Sequence, residues 1–201
     1  KFKKQVKQFE CFDRDNLTGK GCFHRNVLIV GVGEIGAKIG DLAKGLGMNI
    51  KGVDLIERCS NVEYVSLSDG LIWADVIFCA LPLTEKTNNM LGRGVLRKTK
   101  NKPIFINISR GEIVSLGELG GLLDEKVLGG FACDVFSQEA ELALKLKSKK
   151  EKFVLGLSQR ENVIFTPHNA FNSEDALERK ASLTVHSIKE FLKNKQFLKV
   201  L

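Results

Sequence analysis

The sequence predicts an α/β fold built on a doubly wound parallel sheet with helices on both faces. Three observations carry this. Apolar runs recur along the chain with helical stretches between them. Most of these runs are continuous rather than alternating, the mark of strands buried on both faces. And Val27–Gly40, "VLIVGVGEIGAKIG", joins a strand to a helix through bare glycines. Alternating β and α in this way builds a parallel sheet with crossover helices.

The predicted strands are Asn26–Val30, Asn49–Asp54, Val62–Val65, Val76–Ala80, Ile104–Ile108, Leu128–Val135 and Asn162–Thr166. The first helix is expected to bury a stripe made by Ile35, Ile39, Leu42, Ala43 and Leu46, with Gly47 ending it. A last helix is expected near Ser173–Lys193, with Leu177, Ala181, Val185, Ile188 and Leu192 along one face. The opening "KFKKQVKQFE" reads as a helix with Phe2, Val6 and Phe9 on one side, broken by "RDNLTGKG". The Lys-rich stretch Leu142–Lys152 reads as an exposed helix or loop.

Composition bounds the class. The chain has 201 residues, 43% of them hydrophobic, enough for one substantial core. No apolar run approaches the roughly 18 residues that span a bilayer. The basic start lacks the apolar centre of a signal peptide, so a soluble cytoplasmic protein without a membrane partner is expected. The net charge of +7 is concentrated in "KFKKQVK", "KLKSKKEK" and "KNKQFLK", without interleaved Trp or Tyr. That describes a solvated surface better than a nucleic-acid groove. Cys11, Cys22, Cys59, Cys79 and Cys133 form no C-x-x-C pair, which favours reduced thiols over disulfides or a metal site.

Gly31-Val32-Gly33-Glu34-Ile35-Gly36 is G-x-G-x-x-G between a strand and a helix. Gly31 permits a tight turn, Gly33 lets backbone approach a pyrophosphate, and Gly36 lets the helix pack close to the strand. Phosphates then meet free N–H groups and the positive end of the helix dipole. An acid is expected at the end of the second strand to bind the ribose hydroxyls. Asp54 stands there, 18 residues after Gly36. Its charge would repel a 2′-phosphate, which favours NAD over NADP, although Lys51 and Arg58 nearby leave NADP open. This is the Rossmann-type arrangement.

Four further pieces follow later strands: "CALPLTEKT", "INISRGEIV", "CDVFSQE" and "FTPHNAF". In open α/β sheets ligands bind at that edge. Together, from about Asp15 to Leu192, they closely resemble the D-isomer-specific 2-hydroxyacid dehydrogenases, the family of D-lactate, glycerate and phosphoglycerate dehydrogenases. The resemblance implies a catalytic set of Arg110, Glu139 and His168. Histidine titrates near neutral pH and suits proton exchange with a keto oxygen. A glutamate can orient its ring, and an arginine offers a planar fork to a carboxylate. The resemblance further implies cofactor contacts from Glu34 and Ile35 at the pyrophosphate, and from Leu81, Pro82 and Thr87 along the adenosine half. Ile108 and Ser109 are implied beside the nicotinamide, and Asp134 at its carboxamide. Singly, each of these residues also has a purely structural reading. His24 and His186 are read as structural or solvated.

Two departures stand out. Where the family has proline after the glutamate, this chain has Ala140. The family also places most of a substrate domain ahead of the connector. The expected organisation is therefore residues 1–24 as a connector helix and linker from a substrate domain, 25–172 as the NAD-binding domain, and 173–201 as a helix returning towards the substrate domain. The implied partners are a 2-hydroxy or 2-keto acid and a second copy, as a homodimer. "PHNAF", with Asn169 and Phe171, is more similar to the lactate-type branch than to the phosphoglycerate one. Two other readings stay open: a non-catalytic, NAD-responsive binding module of the same fold, and another Rossmann enzyme such as an amino-acid dehydrogenase.

Overall fold

The computed structural model describes residues 2–197. The chain divides into two compact units, Lys1–Thr166 and Pro167–Leu201.

Val27, Leu28, Ile29 and Val30 are all fully buried, so the first strand has no solvent-facing side. Side chains alternate across a strand. Val27 and Ile29 join one cluster with Val32, Ala43 and Val62. Leu28 and Val30 join the larger cluster with Leu71, Ile77, Phe105, Leu119, Leu122 and Phe131. A strand with apolar contacts on both faces belongs in the middle of a sheet, and this one lies there.

The seven strands are β1 (Asn26–Val30), β2 (Asn49–Val53), β3 (Glu63–Tyr64), β4 (Val76–Cys79), β5 (Ile104–Asn107), β6 (Gly130–Cys133) and β7 (Val163–Phe165). Every pairing is parallel, in the order β3-β2-β1-β4-β5-β6-β7. All seven predicted strands are present, most with ends one or two residues shorter than the apolar runs. The order reverses direction between β1 and β4, which is the place where such sheets open a crevice.

The helices of the first unit are α1 (Phe2–Phe9), α2 (Glu34–Gly45), α3 (Leu67–Trp73), α4 (Arg93–Leu96), α5 (Leu116–Asp124), α6 (Glu139–Lys147) and α7 (Lys152–Ser158). Gly70 of α3 packs on Leu28, and Leu119 of α5 and Leu157 of α7 join the larger cluster. Helix α2 covers the opposite face over β1 and β2. Further along that face, Ile104 and Ile164 stay 48% and 58% exposed.

The expected burial of α2 is corrected. Its buried residues are Gly36, Gly40 and Ala43, with Ile39 partly buried. Ile35, Leu42 and Leu46 of the expected stripe are exposed. The helix has turned its glycine face to the sheet. A Cβ at Gly36 would lie 2.0 Å from the Gly31 carbonyl oxygen, so this contact admits no side chain. Gly47, at φ +71, ends the helix as expected. In α1, Val6 and Phe9 are exposed, and the side chain of Phe2 lies outside the described residues. Helix α6 holds the first part of the Lys-rich stretch, to Lys147, with no buried residue, and it begins three residues earlier than that stretch, at Glu139; the remainder is loop up to Lys152, where α7 starts.

The second unit is dominated by α8 (Glu174–Asn194), capped by Ser173, whose Oγ accepts the Ala176 N–H at 3.3 Å. Glu174 and Asp175 in its first turn and Lys193 in its last complement the helix dipole. None of its residues is buried; Leu177, Val185, Ile188 and Leu192 of the expected face are exposed. Residues 198–201 of the expected C-terminal segment lie outside those described.

Two glycine substitutions separate packing from propensity. Gly36→Ala is expected to lower unfolding free energy by about 2–3 kcal/mol through overpacking. Gly156→Ala, at an exposed position of α7 with nothing within 4 Å of an added Cβ, is expected to raise it by about 0.5–1 kcal/mol. Urea denaturation of the three chains measures both; equal stability of Gly36→Ala and the parent would contradict the packing described.

Candidate active site

The site is built at the C-terminal edge of the sheet, starting from the turn after β1. Gly31 adopts φ +97, and a Cβ there would lie 2.7 Å from the Ala80 carbonyl carbon. The β1 turn can therefore sit directly against the end of β4. Gly33 is the N-cap of α2 and supplies no side-chain cap, so the first N–H groups of the helix face outward without a capping side chain. A Cβ at Gly33 would meet nothing within 4 Å: the space before the helix terminus is open. Asp54, just past β2, accepts the Val32 N–H at 2.7 Å through one carboxylate oxygen and the Ile56 N–H at 3.2 Å through the other. A carboxylate has about four lone-pair positions, so it keeps capacity for a further donor on each oxygen.

A cleft of about 500 Å³ opens at the point where the strand order reverses. Its walls are Gly33, Glu34 and Ile35 from the start of α2, Ala80–Leu83 from the loop after β4, and Ile108, Ser109 and Arg110 from the loop after β5. Eight of the residues expected from the sequence thus meet around one space. Thr87 does not line it. Its hydroxyl donates to the Pro82 carbonyl at 2.6 Å, which closes the loop that carries Leu81 and Pro82. Ser109 Oγ donates to the Leu81 carbonyl, joining the β4 and β5 loops.

Arg110 follows β5 in extended backbone and precedes a short 3-10 turn, Gly111–Ile113. Its Nη1 donates to the Ser109 carbonyl at 2.7 Å. A Cβ at Gly111 would lie 2.1 Å from both the Phe136 carbonyl carbon and the Ser137 nitrogen. The arginine turn is therefore seated against the loop that leads to Glu139. Glu139 opens α6, and its Oε1 accepts the Phe136 N–H at 3.1 Å. Asp134 is 7% exposed and accepts from the Thr166 hydroxyl.

Cys79 and Cys133 lie buried at the ends of β4 and β6. Burial pushes their thiols up to about 11 and about 12, so both stay neutral at the base of the site. His168 belongs to the second unit. It adopts φ +49, and its ring meets Phe171 edge-on at 6.1 Å between centroids.

Asn107, Gly111 and Leu83 also belong to this site or its supports and are not among the residues the sequence singles out. Asn107 carried one signal, an amide at the end of an apolar strand.

With this geometry in place, the comparisons are specific. The family described as "D-isomer specific 2-hydroxyacid dehydrogenase, NAD binding domain" matches residues 1–170. The chain belongs to that family. Among its relatives are a glyoxylate reductase of Korarchaeum cryptofilum, 34% identical over 184 residues, which span 87% of this chain and 51% of that protein. Another is a D-lactate dehydrogenase of Escherichia coli, 28% identical, spanning 88% of this chain and 56% of that one. The crystal structure of D-lactate dehydrogenase from Aquifex aeolicus, complexed with NAD and lactic acid, superposes with a TM-score of 0.85 at 26% identity, covering 96% of this chain and 60% of that one. This NAD-binding domain spans about half the length of the curated relatives it matches.

The residues present fit the dinucleotide that names the family. The uncapped helix start, the open space before Gly33 and the spare lone pairs of Asp54 are the features it needs. Gly33→Val separates binding from folding, because its side chain enters the open space rather than the core. It is expected to leave the urea midpoint within error and to weaken NAD at least about 10-fold, by blocking the backbone approach. Calorimetric titration measures this, and unchanged affinity would remove Gly33 from the phosphate site.

Proposed function

We propose that this chain is the cofactor part of an NAD-dependent oxidoreductase that interconverts a D-2-hydroxy acid and its 2-keto acid. One observation carries the reading: a single cleft is shared by the helix start that suits a pyrophosphate and by Arg110, the one arginine among its lining residues. A guanidinium in the same cleft can meet a substrate carboxylate beside the bound cofactor.

In the reduction direction, bound NADH supplies the hydride. The roles of the side chains follow from their types. Arg110 holds the substrate carboxylate through paired N–H donors and draws charge towards the keto oxygen. His168 delivers a proton to that oxygen, and takes it back in the oxidation direction. Glu139 orients the imidazole through a hydrogen bond and favours its charged form. Asp134 holds the nicotinamide carboxamide, and Asp54 the adenosine ribose. NAD is preferred to NADP, because a 2′-phosphate would meet the Asp54 carboxylate.

The same proposal includes residues 1–24 and the segment from 173 as the crossings to a substrate domain, with 25–172 between them. It includes a cytoplasmic location, which suits the exposed free thiols of Cys11 and Cys22. It also includes a homodimer formed through the cofactor domain, for which the exposed Leu42 and Leu46 of α2 offer apolar surface. Among the described residues no helix is long and apolar enough to cross a membrane.

The test uses the longest form of the chain, NADH and a panel of 2-keto acids. Turnover of at least one keto acid is expected. His168→Gln is expected to lower kcat on the order of 100-fold or more, with NADH affinity within about 3-fold of the parent. Unchanged kcat in His168→Gln would remove the histidine from the reaction. NAD binding without turnover of any keto acid would support the non-catalytic reading instead.

A further inference from the structure

The end of β5 carries a polar side chain in an apolar setting. Asn107 is 1% exposed. In the sheet register it stands between Cys79 of β4 and Cys133 of β6, both buried. An amide in such a place costs stability unless its donors and acceptor are met. They are met by the very turn that carries Arg110. Asn107 Nδ2 donates to the Arg110 carbonyl at 3.0 Å, and Asn107 Oδ1 accepts the Ser109 N–H at 3.0 Å. One side chain thus closes the turn from both ends.

Asn107 also reaches the next loop through its backbone, since its carbonyl accepts the Asp134 N–H at 3.1 Å. Ser109, Arg110 and Asp134 are all residues of the proposed site, and all are tied to this one position. Beyond the turn, Gly111 presses against Phe136 and Ser137, whose loop ends in Glu139. The guanidinium itself is steadied by the Ser109 carbonyl, and Ser109 is what Asn107 holds.

From these contacts we infer that Asn107 is the positioning residue of the site: a buried amide that sets the direction of Arg110 and couples the β5 turn to the β6 loop. It touches neither substrate nor cofactor and acts through Arg110. Its catalytic consequence rests on the dehydrogenase reading above; its hold on the turn does not. Strand ends are rigid and turns are not, so a clamp of this kind transfers the order of the sheet to a long, flexible side chain. Misplacement of a positioned group by an ångström is enough to cost on the order of 100-fold in rate.

Two measurements test this. In the longest form of the chain, Asn107→Ala is expected to lower kcat/KM for the keto acid on the order of 10–100-fold, with NADH affinity within about 3-fold of the parent. In an Arg110→Ala background the same substitution is expected to change kcat/KM by less than about 3-fold, because the group it positions is gone. Equal losses in both backgrounds, or no loss in the first, would overturn the proposal. In Asn107→Asp the acceptor is kept and the donor is lost until the carboxyl protonates. The ratio of its kcat to the parent's is expected to rise as pH falls, and a flat ratio would contradict the donor's role.

The second measurement is independent of turnover. Amide hydrogen exchange in the 201-residue chain is expected to show the Ser109 N–H at least about 10-fold less protected in Asn107→Ala, with core amides such as Leu28 unchanged. Unchanged Ser109 protection would overturn the clamp. If Asn107→Ala also loses core protection, Asn107→Asp is read in its place; it is expected to keep Ser109 protected, and loss of that protection with the core intact would overturn the clamp as well. A parent chain that turns over no keto acid would end the dehydrogenase reading while the exchange result still decides the clamp.

Discussion

The contact on which the rest of the molecule depends is the one between Gly36 and the Gly31 carbonyl. A side chain at position 36 would lie 2.0 Å from that oxygen. Without one, α2 descends onto β1 within a single turn of its start, and its first amides emerge where β1 ends. Because β2 and β4 flank β1, the emerging amides stand at the reversal of strand order, between loops that diverge to either side. A dinucleotide needs two things from a protein at this point, donors without a competing cap and room for backbone approach, and both follow from the absence of Cβ atoms.

The chemistry proposed for the site draws on the same economy of structure. Apart from the start of α2, the cleft walls are loops, but each loop is fastened close to its strand. Ser109 fastens to Leu81, Thr87 to Pro82, Asp54 to Val32, and Asn107 to the Ser109–Arg110 turn. Every fastening joins a short polar side chain to a backbone group within a few residues of a strand end. The reacting groups can therefore be long and mobile, as Arg110 is, while their points of attachment are not. The neutral thiols of Cys79 and Cys133 lie buried on either side of Asn107 in the sheet.

Much of this could be read from the residues alone, and the rest could not, for physical reasons. Continuous apolar runs such as Val27–Val30 named the strands because burial on both faces leaves no polar alternation to confuse them. The glycine turn and Asp54 were legible because few other arrangements require those residue types at that spacing. The orientation of α2 is not legible in the sequence because glycine carries no hydrophobic signal: the face that packs is Gly36, Gly40 and Ala43, and the visible stripe of Ile35, Leu42 and Leu46 points elsewhere. Glu139 is legible as a candidate by resemblance, but nothing in the sequence marks it as the start of α6. Asn107 is not legible in the sequence, since a lone amide in a strand acquires meaning only when its partners, two and three residues on, fold back over it. The predicted relation of His168 to Glu139 joins residues of two separate units and stays within the proposal.

The central claim is that the uncapped start of α2 and the β4 and β5 loops together hold NAD. Backbone amide shifts during an NAD titration test it most directly. Saturable changes are expected at Val32–Gly36, at Leu81 and at Ile108–Arg110, with the amides of α5 and α7 unmoved. Saturable binding that shifts other amides and leaves Gly33, Glu34 and Ile35 in place would contradict it.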